Sequence, residues 1–228
     1  MVFRSVIVAR IVPGSEGTVG DVFGYYDDRT RPQDLGVIGR SLLSLHDLYI
    51  HVIERNVDPK VSGKTRGLPA FQAIAEAIAP YVTPYPRNWK MPSDSVAKEF
   101  YSWVPPNGDD AAETGSDGGS QTIVVGRIEP GVEPEIARIF GKSDAGPLPA
   151  QTGVSGRWLY SNDDVYLHLL TRSQEASSPE AMRKAHGNPA FAQVMTELNP
   201  YIRPFRPEAW HSHADSVAKE FYRWRAKD

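Results

Sequence analysis

A repeat of domain size constrains this chain more than any other feature. VARIVPG at 8–14 returns as VGRIEPG at 125–131, GVIGRSLLSLHDLYIHVI at 36–53 as GVSGRWLYSNDDVYLHLL at 153–170, and DSVAKEFYSW at 94–103 as DSVAKEFYRW at 215–224. Residues 6–53 align with 123–170 at a constant offset of 117, with 19 of 48 positions identical. Solenoid units run roughly 20–50 residues, so a repeat of about 110 is a small domain and not a stacking unit. The 228-residue chain is a fused pair, each half long enough to bury a core. Any residue kept in both halves has been sampled twice.

The copies span 1–104 and 122–228, separated by PPNGDDAAETGSDGGSQ at 105–121. That stretch holds no aromatic residue and one β-branched residue, Thr114, so it reads as a flexible acidic linker. Each copy has the same element order. A strand at 4–11 or 122–128 ends at Pro-Gly. A helix follows, with Val19, Val22, Phe23 and Tyr26 at i, i+3, i+4, i+7, and Ile136, Ile139, Phe140 and Ser143 in copy two. A hairpin breaks at His46-Asp47, and at Asn162-Asp163 in the second copy. A second helix carries Phe71, Ile74, Ala75 and Ile78, or Phe191, Val194, Met195 and Leu198. A last element at 96–103 or 217–224 reads as the strand that closes each copy, though its Ala-Lys-Glu start would also suit a helix. The order β-α-β-β-α-β gives an α+β chain of two ferredoxin-like domains. Helices cover one face of such a sheet, and the other face calls for a second copy. The linker supplies that copy at high effective concentration. The expectation is an internal pseudo-dimer of the dimeric α/β-barrel type, either monomeric as a chain or weakly self-associating.

Composition excludes several classes. A net charge of −3 argues against nucleic acid, which calls for a basic face. With no cysteine, disulfides, thiolate metal sites and cysteine nucleophiles are out. The start, MVFRSVIVAR, lacks the apolar core of a signal peptide, and no run approaches the ~20 apolar residues of a membrane span. The cytoplasm is the expected compartment, with no membrane partner. P-loop, G-x-G-x-x-G, G-x-S-x-G and H-E-x-x-H motifs are absent.

The ionisable residues retained in register are Arg10/Arg127, Asp27/Asp144, Arg40/Arg157 and His51/His168, with Tyr49/Tyr166 and Asp47/Asp164 beside them. Alternation puts Tyr49, His51 and Ile53 on one face of the third strand. Arg40 lies on the neighbouring strand, and Asp27 ends the helix packed above. A His, an Arg and an Asp can therefore converge between helix and sheet. The same residues also suit a structural reading, in which an Arg–Asp pair ties a helix end to a strand and the His bonds a carbonyl. Asp47 and Asp164 read as turn residues. No metal site is expected, because only one His per copy recurs in register. His211 and His213 with Asp215 form only a weak His-x-His cluster.

At these residues the chain resembles a known family. GVIGRSLLSLHDLYIHVIE, an Asp after the first helix and a terminal KEFYSW are similar to the tetracenomycin F2 cyclase-like aromatic polyketide cyclases of bacterial type II pathways. The resemblance covers essentially all of 1–104 and extends more weakly over 122–225. It implies a ferredoxin-like fold that forms dimers, and a cofactor-free cyclase. The substrate would be an aromatic polyketide intermediate, with the minimal synthase or an acyl carrier protein as further partners. It places the site on Asp27, Arg40 and His51, and on Asp144, Arg157 and His168. Arg10, Tyr26, Tyr49, Arg127 and Tyr166 would line the substrate. Tyr26 stands where a related cyclase carries a His before the Asp, and Ser143 holds that position in copy two.

Aldol cyclisation needs a base, a stabiliser for the enolate and a pocket that fixes which carbon attacks. His51 suits the base if its pKa stays near 6.5. Arg40 suits the enolate oxygen, and Asp27 suits orienting the His or sharing the proton. Two other readings compete: a cofactor-free monooxygenase of the same fold, and a non-catalytic polyketide-binding module.

Overall fold

The computed structural model describes residues 2–58, 69–86, 88–106, 120–173 and 175–226. The chain divides into two compact units. One is Met1–Ala97 with Ala218–Asp228, the other Lys98–Val217. The first contains β1 (Phe3–Ile11), α1 (Glu16–Asp27), β2 (Val37–Leu45), β3 (Leu48–Arg55), α2 (Pro69–Ile78) and β4 (Val82–Pro84). The second contains β5 (Lys98–Trp103), β6 (Ser120–Ile128), α3 (Glu133–Asp144), α4 (Leu148–Thr152), β7 (Val154–Asn162), β8 (Val165–Arg172), α5 (Pro179–His186), α6 (Pro189–Leu198) and β9 (Ile202–Pro204). The last strand, β10 (Lys219–Arg225), returns to the first unit.

Each unit is built on one antiparallel five-stranded sheet, in the orders β10-β2-β3-β1-β4 and β5-β7-β8-β6-β9. Inner strands and helices follow the ferredoxin-like α+β plan. Two features differ from the sequence expectation. The strand closing each β-α-β-β-α-β unit is the three-residue β4 or β9, paired with the end of β1 or β6. It is short because Pro84 or Pro204 ends it and offers no N–H to the ladder. The longer terminal strand is a fifth one, added at the β2 or β7 edge, and the repeats exchange it. β5 of copy one pairs with β7 of copy two, and β10 of copy two pairs with β2 of copy one. The compact units therefore cut across the sequence repeats.

The hairpins turn at His46-Asp47 and Asp163-Asp164, one residue later in copy two than the sequence suggests, because β7 runs through Asn162. His46 and Asp163 take left-handed φ of 55° and 54°, which His and Asp tolerate better than β-branched residues. Gly36 and Gly153, with φ of 72° and 66°, end the short helical turns before β2 and β7. Between β8 and α6 the second unit forms α5, which Ser178 caps by accepting from the Ala181 N–H. The linker falls at 107–119 outside the described residues, while Ser120 and Gln121 already belong to β6.

The helix-facing side of the first sheet packs Ala9, Ile11, Leu42 and Tyr49 against Val19 and Phe23 of α1, with Ile74 and Ile78 of α2. The second packs Ile128, Leu159 and Tyr166 against Ile136, Ile139 and Phe140 of α3 and Leu198 of α6. On the opposite faces Val6, Val8, Leu48, Ile50 and Val52, and Ile123, Val125, Leu167 and Leu169, are equally buried. Strands apolar on both faces read as continuous hydrophobic runs, which is why LYIHVI lacks alternation. Among the described residues no helix is long and apolar enough to cross a membrane.

Candidate functional site

The helix amphipathicity that buries Val19 and Phe23 also buries the last residue of α1. Asp27 is one turn beyond Phe23 on the same stripe and is 5% exposed. Below it, cross-strand register sets Arg40 opposite Ile53, Leu42 opposite His51, and Ser44 opposite Tyr49. Side chains directly opposite share a face, so Arg40, His51 and Tyr49 all point at α1. Arg40 Nη2 lies 3.4 Å from Asp27 Oδ1, and its guanidinium sits 5.4 Å from the Phe23 ring centre. The His51 ring meets Phe23 edge-on at 5.1 Å.

The second unit repeats the arrangement more tightly. Arg157 Nε is 3.0 Å from Asp144 Oδ2, and Arg157 Nη1 donates to His168 Nε2 at 2.7 Å. A guanidinium has no lone pair to accept with. His168 therefore accepts at Nε2 and carries its proton on Nδ1. Phe140 lies under Arg157 at 4.4 Å and against His168 at 5.0 Å.

A fourth residue completes each cluster, and it comes from the other repeat. Tyr222 on β10 donates its O–H to Asp27 Oδ2 at 2.8 Å, and Tyr101 on β5 donates to Asp144 Oδ2 at 2.8 Å. Both tyrosines lie in the repeated KEFY motif. Simple alternation would set Phe221 and Tyr222 on opposite faces. A register shift between Glu220 and Tyr222, matched between Glu99 and Tyr101, instead turns Phe and Tyr together onto the helix-facing cluster. Bulges re-aim side chains in this way.

A fifth residue, Arg55 or Arg172, sits four residues beyond the His on the same face of the strand. Its guanidinium, with that of Arg40 or Arg157, depresses the His pKa after burial, the larger cause. Both imidazoles thus lie well below the usual 6.5 and are neutral. The premise of an unperturbed His therefore does not hold. Asp27 and Asp144 shift the other way. Burial raises them, and the Arg and the tyrosine hydroxyl only partly offset it. Arg55 and Arg172 continue the offset of 117 past position 53, where the aligned block ends, so extending the alignment would have found them.

Each cluster holds one carboxyl, two guanidiniums and one neutral imidazole, a local cationic surplus. Several buried atoms in it have no hydrogen-bond partner among the described residues: Asp27 Oδ1, Asp144 Oδ1, His51 Nε2, and the hydroxyls of Tyr49 and Tyr166. Unpaired buried polar atoms of this kind are costly unless something meets them.

The remaining sequence candidates lie elsewhere. Arg10 binds Asp47 at 2.7 Å and stacks on Tyr85. Arg127 binds Asp164, the Phe205 carbonyl and the Phe205 ring. Arg10 ties the hairpin turn to β1, and Arg127 ties it to β6. Tyr26 is half-buried against Tyr25. A cleft of about 530 Å³ is lined by Lys98, Phe100, Gly131, Glu133, Pro134 and Ser161. It opens at the start of α3, whereas Asp144 ends that helix. Among the described residues no group of three or more His, Cys, Asp or Glu could hold a metal.

Comparison with known proteins adds the family. The model described as polyketide synthesis cyclase matches residues 3–104 and again 120–225. Over 104 residues the chain is 42% identical to an uncharacterised protein of Streptomyces coelicolor, covering 45% of this chain and 92% of the relative. Over 108 residues it is 36% identical to tetracenomycin F2 cyclase of Streptomyces glaucescens, covering 47% of this chain and 99% of that one. Each relative matches about one copy. A structure of a candidate monooxygenase from Fusobacterium nucleatum is similar over 98% of this chain and 94% of its own, with a TM-score of 0.58 at 11% identity. That likeness concerns the fold alone. With both repeats matched almost end to end by one model, the chain belongs to the polyketide synthesis cyclase family.

Proposed function

We propose that the chain closes a ring in an aromatic polyketide intermediate of a type II pathway. The reaction is an intramolecular aldol-type condensation followed by loss of water, carried out without a cofactor at Asp27/Arg40/His51 and again at Asp144/Arg157/His168. The observation that carries this reading is the charge pattern. A buried carboxyl held toward neutrality lies beside two guanidiniums and an imidazole that stays uncharged.

The roles follow from that pattern. A carboxyl raised by burial is a stronger base than an ordinary Asp once ionised, and it keeps hold of a proton closer to neutral pH, so the proton it takes is there to be returned. Asp27 takes the proton from a methylene between two carbonyls. The enolate oxygen gains the attraction of Arg40, with Arg55 adding to the field, in a site where charge interactions are stronger than in water. The enolate carbon attacks a third carbonyl further along the polyketide, one C–C bond forms as that C=O π bond opens to an alkoxide, and Asp27 returns its proton to the alkoxide. Dehydration then removes a second methylene proton and the hydroxyl as water. A neutral His is a weak base and a good hydrogen-bonding partner for a carbonyl. His51 therefore orients and polarises the substrate, and the proton work passes to Asp27. Tyr49 and Tyr166, with buried unpaired hydroxyls, face the same substrate.

The test is a product profile. The chain is added to a minimal aromatic polyketide synthase with its early cyclases, in air and under argon. One new cyclised product, formed equally in both, supports the proposal. A product heavier by one oxygen and absent under argon supports the monooxygenase reading. An unchanged profile with measurable polyketide binding supports a binding module.

A further inference from the structure

We propose that Tyr222 and Tyr101 are positioning residues of the cyclisation, each acting on the carboxyl of the opposite repeat, so that neither repeat carries a complete site. The inference rests on the reading of Asp27 and Asp144 as the proton-transfer groups and deepens it.

The geometry assigns the tyrosine a specific task. Its O–H holds Asp27 Oδ2, and Arg40 lies against Oδ1, an atom with no hydrogen bond among the described residues. The hydroxyl therefore occupies one carboxyl oxygen and leaves the other for the substrate. The second unit repeats the hydroxyl contact with Tyr101 on Asp144 Oδ2 and leaves Asp144 Oδ1 without a hydrogen bond. Asp27 and Asp144 are almost fully buried, where a carboxyl that has lost its donor cannot recover it from bulk water.

The pairing across repeats is written into the sheet edge. DSVAKEFY is identical in both copies, so the strand itself cannot choose its sheet. The next residues differ. Strand β10 ends in Arg225, where copy one has Val104. In the first sheet Arg225 lies opposite Gly39 and reaches across it to Glu54. Gly39 leaves that path open, since a Cβ there would lie 2.3 Å from Arg225 Nη1. Glu54 is 2% exposed and also binds Arg4 at 3.0 Å. The matching position in the second sheet is Thr171, opposite Gly156. Moved to that sheet, Arg225 would find no carboxylate at this position, and Glu54 would face Val104. The sequence thus favours β10 in the first sheet and brings Tyr222 to Asp27.

The experiment uses the full chain with Tyr222→Phe and Tyr101→Phe, which keep the rings and remove only the hydroxyls. The carboxyls are followed by carbon NMR of aspartate labelled at Cγ, with Asp27→Asn and Asp144→Asn giving the assignments. Tyr222→Phe is expected to move the Asp27 titration to higher pH and leave Asp144 in place, and Tyr101→Phe to do the reverse. In an Asp144→Asn background, Tyr222→Phe is expected to lower the cyclisation rate roughly 10- to 100-fold, the size of a hydrogen bond to a charged group. The acid limb of its pH–rate profile should move up with Asp27, and Tyr101→Phe should leave both rate and limb unchanged. An Asp27 titration that ignores Tyr222→Phe, or follows Tyr101→Phe, overturns the cross-repeat pairing. A shifted carboxyl with unchanged rate and pH profile overturns the positioning role. A wild-type chain that cyclises nothing removes the proposed reaction, and the titrations alone then decide the pairing.

Discussion

Acidification from pH 7.5 to 5.5 reads the two buried imidazoles directly. His51 and His168 are 6% and 8% exposed. Burial first, then two nearby guanidiniums, hold each well below its usual value. The unfolded chain takes up protons at these residues near pH 6.5, while the folded chain does so only at lower pH. The unfolded state binds more protons throughout this window, so stability falls as pH falls. For a group titrating near 6.5 in the unfolded state and well below this window in the folded one, the loss over these two pH units is about 1.4 kcal/mol, or about 2.7 kcal/mol for both. If the units unfold separately, each transition loses about 1.4 kcal/mol. Asp27 and Asp144 act with the opposite sign. Their raised values keep protons on the folded state between 3.8 and the folded value, so stability gains as pH falls there. The contribution of the imidazoles is therefore the difference between wild type and His51→Gln/His168→Gln, measured by urea unfolding under tryptophan fluorescence at fixed salt. Equal losses in both proteins would refute the neutral-imidazole argument.

Three further outcomes are expected. Glu54→Gln leaves Arg4 and Arg225 without their carboxylate and should cost about 3 kcal/mol in the transition of the first unit, read by chemical denaturation, whereas Thr171→Val, which removes only the acceptor of the Ser155 hydroxyl, should cost about 1 kcal/mol in the second. His46→Val forces a β-branched residue to φ 55° and should cost at least about 1 kcal/mol, while His46→Gly should be neutral or stabilising by thermal melting. The acid limb of the cyclisation pH profile should lie above the ordinary Asp value of 3.8, because burial raises Asp27 and Asp144. Arg40→Met/Arg157→Met should push that limb higher still, since each guanidinium lowers its carboxyl.

The hairpin, the first helix and the Asp–Arg–His convergence were legible in the sequence because each rests on a local period. A helical stripe buries Asp27 with Phe23, and strand alternation aligns Arg40 with His51. The exchanged strand was not legible. DSVAKEFY gives both copies identical pairing information, and the deciding groups, Arg225 and Glu54, come together only once the sheet is assembled. Tyr101 and Tyr222 stayed hidden for a second reason. A bulge breaks the alternation that would place them, and no pattern in KEFY signals it. The neutral state of His51 depends on Arg55 and on burial from two sides, neither visible from the His itself.

The most direct test of two enolate-stabilising sites in one chain is the cyclisation rate of Arg40→Met, Arg157→Met and the double variant, with folding checked by circular dichroism. If both sites turn over equally, each single variant keeps about half of the wild-type rate. The double variant should fall by roughly 100-fold or more, the usual effect of removing a preorganised charge-stabilising group. A folded double variant that cyclises at the wild-type rate, with the same product, would contradict the account.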